Sequence, residues 1–184
     1  CIEMLTRMIA WIQYEIDHLD IDPLLELFEI RTTSEFTCLH CSRQNIVEIP
    51  AVLNFTTILR AGHTVKELIE STNETEIVER RCDSCGHHFA KKVDSISPVG
   101  TNFVVMLRRT DFIGKTTTKN FAPVVLEKTL EFGNRKYRLK SAIMHHGESA
   151  ERGHYTIYIC DNEGRFRHID DQRVSEISVE SFAL

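Results

Sequence analysis

The sequence predicts an α+β protein, with a short helical lead, a metal-stapled β extension and an antiparallel sheet. Three observations carry that reading. Residues 2–19 set Leu5, Met8, Ile9, Ile12, Ile16 and Leu19 on one stripe of helical period. From Lys91 onward, short apolar or alternating runs are punctuated by turn residues, which is the pattern of strands. Between these regions lie two Cys-x-x-Cys pairs, Cys38/Cys41 and Cys82/Cys85.

Taken in order, Asp22-Pro23 opens a second short helix that runs through Leu27. Phe28–Arg31 and Ser34–Thr37 read as strand, followed by Ile46–Ile49 and Val52–Ile58. Pro50 between the last two marks an edge strand or a bend, because proline has no N–H for a ladder. Thr64 has the character of a helix N-cap, and Glu67 completes a capping box ahead of Leu68 and Ile69. Lys92–Ile96 is a strand. Phe103–Leu107 is a continuous apolar run, expected of a strand buried on both faces. Leu130–Phe132 and Tyr137–Met144 flank a turn at Gly133-Asn134. A last hairpin joins Gly153–Tyr158 to Arg165–Ile169 through Asp161-Asn162-Glu163-Gly164. The aromatic residues Trp11, Tyr14 and Phe28 are read as packing residues.

Composition sets limits on function. The chain has 184 residues, 42% apolar and 27% charged, ordinary for a single globular domain. A formal net charge of −5 without any Lys/Arg cluster argues against a nucleic-acid partner. No apolar run reaches the length of a membrane span and none has the pattern of a signal peptide, so no membrane partner is expected. The chain opens at Cys1 directly into helical periodicity, which reads as a fragment of a larger domain.

Four of the six cysteines fall in the two matched pairs, which reads as metal binding in a reducing compartment, cytoplasm or nucleus. Two residues between cysteines let both thiolates of a pair turn toward one ion. Two such pairs then supply a closed tetrahedral shell for one structural zinc at Cys38, Cys41, Cys82 and Cys85. Their long separation places the pairs at the tips of hairpins. Gly86, directly after Cys85, suits the positive φ of a knuckle turn.

The last hairpin carries the acid–base chemistry. With a two-residue loop at Asn162-Glu163, His154 lies opposite Asp171; a change of one residue in the loop, or a bulge, brings Asp170 instead. Either arrangement sets an imidazole beside a carboxylate, the base and orienter of a nucleophilic triad. Gly153 before the histidine allows close approach of another backbone. The spacing alone leaves both acids open.

These motifs, in this order, resemble the ubiquitin-specific protease family of cysteine deubiquitinases. Glu3-Met4-Leu5 and the helix after it resemble the segment that follows the family's Gln-Asp-x-x-Glu motif. The two Cys-x-x-Cys pairs resemble its zinc knuckles, and Pro98 through Leu107-Arg108-Arg109 resembles its palm strand. Tyr137–Ile143 with His145-His146-Gly147, Gly153-His154-Tyr155-Thr156-Ile157-Tyr158 and Ile169-Asp170-Asp171-Gln172-Arg173-Val174 resemble its His box and acidic partner.

The resemblance implies a papain-like cysteine protease fold of this type, present in part. Residues 1–30 would be a helical thumb-side segment, 31–97 the zinc-bound fingers and 98–184 the palm. His154 would be the general base and Asp170 its orienter, with Asp171 a neighbouring charge. Gly153 and Tyr155 would line the channel for a Gly-Gly tail, and the Gly147–Arg152 loop would overhang it. Ubiquitin or ubiquitinated proteins would be the partner, and hydrolysis after the terminal glycine of ubiquitin the reaction. The family's nucleophile lies in an upstream Gly-Asn-Thr-Cys box that this sequence does not contain, so the chain alone is expected to be inactive. An inactive ubiquitin-binding or scaffold protein of the same fold is the alternative.

Overall fold

A computed structural model of the chain describes residues 2–16, 24–52, 54–59, 63–71, 75–98, 100–113, 116–177 and 182–183. Cys1, Leu19 and the Asp22-Pro23 helix start lie outside the described residues. Two compact units emerge, one from residues 1–57 and 69–106, the other from residues 58–68 and 107–184.

In the first unit, α1 (Ile2–Ile16) is followed by a 3₁₀ turn at Leu24–Phe28. Ile9 is buried on the inner side of α1. Trp11 and Tyr14, expected to pack, are instead 64% and 77% exposed. Two and five residues beyond Ile9, they project from the far side of the helix at 3.6 residues per turn.

The strands β1 (Ile30–Cys38), β2 (Gln44–Val52), β4 (Glu76–Glu79) and β5 (Phe89–Pro98) form an antiparallel sheet in the order β2-β1-β5-β4. The two short strands expected at 28–37 are thus parts of a single longer one. β1 pairs with β5 along its whole length, from Ile30↔Pro98 to Cys38↔Ala90. β2 is an edge strand, and its register against β1 shifts between Thr32↔Ile49 and Ile30↔Val52. Pro50 therefore stands in a bulge of an edge strand, where a missing N–H costs the ladder nothing. Inside the sheet the buried Ser34 hydroxyl donates to Asp94 Oδ1 at 2.6 Å, and Lys92 Nζ meets Asp94 Oδ2 at 2.6 Å. The inward hydroxyl is satisfied by its direct cross-strand partner.

The strand β3 (Phe55–Ile58) pairs with β6 (Val105–Arg108), and the Phe55 N–H donates to the Val104 carbonyl at 2.8 Å. Phe103–Leu107 is only half-buried and β6 has one partner strand among the described residues, so this run is not the doubly buried strand expected. Apolar continuity reports burial but not the number of neighbours.

The helix α2 (Val65–Glu70) begins at a complete capping box. The Glu67 N–H donates to Thr64 Oγ1 at 3.2 Å, and the Thr64 N–H donates to Glu67 Oε2 at 2.8 Å. That second bond holds the Glu67 carboxyl below its ordinary range. The cap turns Leu68 inward against Leu59 and Val124. Thr64→Ala should cost about 1 kcal/mol, read as a lower urea midpoint at unchanged slope.

The remaining strands meander. The β7 (Thr110–Ile113) and β8 (Thr116–Lys119) strands form a hairpin, and β9 (Val125–Leu126) pairs with β16 (Phe182–Ala183). The strands β10 (Thr129–Phe132) and β11 (Arg135–Arg138) turn at Gly133, whose φ is +58°. The site-bearing sheet runs β12 (Ser141–His146), β13 (His154–Cys160), β14 (Phe166–Asp170) and β15 (Arg173–Ile177), each antiparallel to the next. Leu126, Cys160 and Phe166 form its buried base, with Tyr158 and Ile177 packed against them.

Candidate active site and cysteine cluster

The β13–β14 hairpin closes through three residues, not two. Asp161 N–H donates to the Arg165 carbonyl at 2.9 Å, and Gly164 adopts φ +83°, the left-handed residue that ends such a loop. The ladder runs from Cys160↔Phe166 to Ile157↔Ile169, one residue offset from the two-residue-loop register. Because side chains alternate faces, that offset decides between the acids. Ile157 and Ile169 share one face, so His154 and Asp170 share the other, as diagonal neighbours. His154 Nε2 lies 2.5 Å from Asp170 Oδ1, with both side chains roughly half-exposed.

Hydrogen bonding to Asp170 raises the His154 pKa above 6.5, with the Asp171 charge adding to it; His154 in turn lowers that of Asp170. Asp171 occupies the tight turn into β15 with φ +51°, and its carboxylate lies within 4.8 Å of the other two groups. With Nε2 engaged by the carboxylate, Nδ1 is the nitrogen left to act as base.

Upstream, His146↔His154 is the last pair of the β12–β13 ladder. The seven-residue loop between them has a narrow neck. Gly147 adopts φ +149°, and a Cβ there would collide with the Arg152 carbonyl and Gly153. At Gly153 a Cβ would collide with the His146 carbonyl and the His145 ring. The close approach at Gly153 is thus made by this chain's own β12. Tyr155 is half-exposed, and its ring lies 4.7 Å from that of His145. Gly153→Ala should force the strand entry off its place, read as faster amide hydrogen exchange at 147–153 than in the wild type.

His145 and His146 point to opposite sides, the first toward Tyr155 and Lys119, the second toward Thr156 Oγ1 at 2.9 Å. Lys119, which meets His145, lies on β8 far upstream, and nothing in its run of threonines points to that contact.

In the first unit, the β1–β2 and β4–β5 hairpin tips bring all four paired cysteines together, with sulfur atoms within 4.8 Å of one another. Cys38 and Cys85 sulfurs are 3.7 Å apart, and those of Cys41 and Cys82 are 3.6 Å apart. A regular tetrahedron of sulfurs around zinc has edges of about 3.8 Å, so the cluster fits one ion. The two knuckles share one backbone plan. Ser42 N–H donates to the Cys38 carbonyl at 3.0 Å, and Gly86 N–H to the Cys82 carbonyl at 2.9 Å. Both donors are left-handed, Ser42 at φ 57° and Gly86 at φ 73°. The serine was the unrecognised counterpart of the expected glycine.

Backbone N–H groups of Cys41 and His40 lower the Cys38 thiol to about 6. The His87 N–H also pulls Cys85 down, but burial and three neighbouring sulfurs outweigh it and push that thiol up to about 12. Four bare thiolates at these distances would repel one another, and a cation would remove that conflict.

The ubiquitin carboxyl-terminal hydrolase family matches residues 3–183. Ubiquitin carboxyl-terminal hydrolase 36 of Drosophila pseudoobscura pseudoobscura is 26% identical over 182 residues, covering 91% of this chain and 17% of the relative. Ubiquitin carboxyl-terminal hydrolase 25 of Arabidopsis thaliana is 27% identical over 163 residues, covering 82% of this chain and 24% of the relative. This chain therefore spans a quarter or less of those relatives' length. Among solved structures, a chain of the SAGA Ubp8/Sgf11/Sus1/Sgf73 DUB module bound to ubiquitin aldehyde superposes with TM-score 0.80 at 18% identity, over 97% of this chain and 45% of that one. The fold is that of ubiquitin-specific proteases. No helix among the described residues is long and apolar enough to cross a membrane.

Proposed function

Because the chain belongs to the ubiquitin carboxyl-terminal hydrolase family, we propose that it carries the base and orienter of a thiol-dependent deubiquitinase. The 2.5 Å contact between His154 Nε2 and Asp170 Oδ1 is the observation that carries this reading. Asp170 holds the imidazole with Nδ1 unprotonated. Nδ1 accepts the thiol proton of a cysteine contributed from outside residues 1–184, and the thiolate attacks the carbonyl carbon of ubiquitin's terminal glycine, displacing the amine bonded to it. The imidazolium then protonates the departing amine, and water drawn by the same base releases the acyl group. Among the described cysteines, four gather in the metal cluster and Cys160 is buried, its sulfur turned to the Asp161 carbonyl.

On the same reading residues 1–30 are the thumb-side segment, 31–97 the fingers and 98–184 the palm. Cys38, Cys41, Cys82 and Cys85 hold one structural zinc, which ties two hairpins together and takes no part in the chemistry. Gly153 and Tyr155 border the channel for ubiquitin's tail. The partner is ubiquitin or a ubiquitinated protein, in a reducing compartment such as cytoplasm or nucleus.

Hydrolysis of a ubiquitin C-terminal fluorogenic amide by the full-length protein tests this function. Release of fluorophore abolished by thiol alkylation is expected. Saturable ubiquitin binding without turnover would instead favour the inactive relative, which a retained His–Asp pair argues against.

A further inference from the structure

Lys119 ends β8 with its ammonium turned onto the loop that precedes His154. Its Nζ donates to the Gly147 carbonyl at 2.6 Å and to the His145 carbonyl at 3.0 Å, and lies 3.2 Å from His145 Nδ1. Three acceptors match the three protons of an ammonium group. No carboxylate pairs with it among the described residues; the Phe121 ring lies 5.2 Å away. A cation spent on backbone carbonyls fixes chain geometry more than it balances charge.

The second half of the device is the His145 ring. It packs on Tyr155 at 4.7 Å and fills the space beside Gly153 that a Cβ would need. Burial, and then the Lys119 charge, lower the His145 pKa, which keeps Nδ1 free to accept from the ammonium. Both ends of the 147–153 loop are thereby held, the first at the Gly147 carbonyl and the last at Gly153. His154 follows at once.

We propose that Lys119 and His145 are positioning residues that clamp the neck of the 147–153 loop, setting the loop's course and the place of His154. The proposal rests on the reading of His154 as base, but the clamp can be tested apart from it. It adds a requirement outside the triad: a lysine on a neighbouring hairpin governs the geometry of the catalytic strand's entry.

The experiment uses the full-length protein with a ubiquitin fluorogenic amide, comparing wild type with Lys119→Met, Lys119→Arg and His154→Ala. Lys119→Met keeps the aliphatic stem but loses every donor. Its kcat should fall roughly tenfold to a hundredfold at nearly unchanged KM, since charged hydrogen bonds that set geometry are lost. Lys119→Arg, which still offers charged donors to the two carbonyls, should recover most of that loss. Amide hydrogen exchange should quicken at 148–152 in Lys119→Met and stay unchanged in the cysteine hairpins. Unchanged exchange at 148–152 overturns the clamp whatever the activity. So does a Lys119→Met kcat within twofold of wild type while His154→Ala is dead. A general rise in exchange with no recovery by arginine would mark Lys119 as a stability residue only and equally overturn it. Full activity of His154→Ala would overturn the catalytic reading itself, leaving the exchange result to judge the clamp.

Discussion

His154→Ala in the full-length protein should lose about six orders of magnitude in kcat, as removal of the base does in a serine-protease triad, with folding unchanged. The Asp170 series should be graded. The main influence of Asp170 on His154 is a hydrogen bond at a half-exposed site, with its charge contributing less. Asp170→Asn, which can still present an acceptor oxygen to Nε2–H, should therefore retain more activity than Asp170→Ala. The titration midpoint of His154, followed by imidazole NMR, should lie above 6.5 in the wild type and fall in both variants. The pair's contribution to stability has a definite pH window. The raised histidine contributes fully below 6.5 and is lost as pH climbs through its folded value. The depressed carboxylate contributes above its ordinary pKa of 3.8 and is lost as pH falls through its folded value. The stability gap between wild type and Asp170→Ala should thus be widest at mildly acidic pH and narrow on either side. A gap independent of pH would contradict the assignment.

Metal removal should have an effect of comparable size on structure. A closed four-thiolate zinc contributes on the order of 10 kcal/mol, comparable to the whole stability of a typical domain. Stripping the ion at neutral pH should release amide protection across β1, β2, β4 and β5, because the knuckles close both hairpins of that sheet. Cys38→Ser should behave alike, since Cys38 sits where β1 pairs with both the knuckle and β5. The β12–β15 sheet has its own buried base and should keep its protection longer. Unchanged exchange in β1 and β5 after complete metal removal would show that the cluster holds no structural ion.

What could be read in advance was local chemistry. The capping box at Thr64 and Glu67 is specified by two side chains three residues apart, and it forms in full. Each cysteine pair likewise writes its own turn. Pro50 announced an edge or a bend and occupies both, because missing one donor excludes it from the middle of a ladder. Loop length between β13 and β14 was harder, since Asp161-Asn162-Glu163-Gly164 suits either a two- or a three-residue connection. One residue there exchanges faces for every side chain beyond, and so exchanges Asp170 for Asp171. Contacts between distant strands left no trace at all. Nothing in Thr117-Thr118-Lys119 indicates that the lysine would meet the carbonyls of His145 and Gly147, since backbone acceptors have no sequence signature. Residues 103–107 failed for a related reason: the run is apolar, but the number of its neighbours is a property of topology.

On the proposed function, this chain supplies the base side of a ubiquitin-directed cysteine hydrolase. Intact-mass and peptide mapping of the full-length protein, after reaction with ubiquitin bearing an electrophilic C-terminus, tests it most directly. One ubiquitin adduct is expected, on a cysteine outside residues 1–184, formed rapidly in the wild type and very slowly in His154→Ala. An adduct on Cys38, Cys41, Cys82, Cys85 or Cys160, or one that forms equally fast without His154, would contradict it.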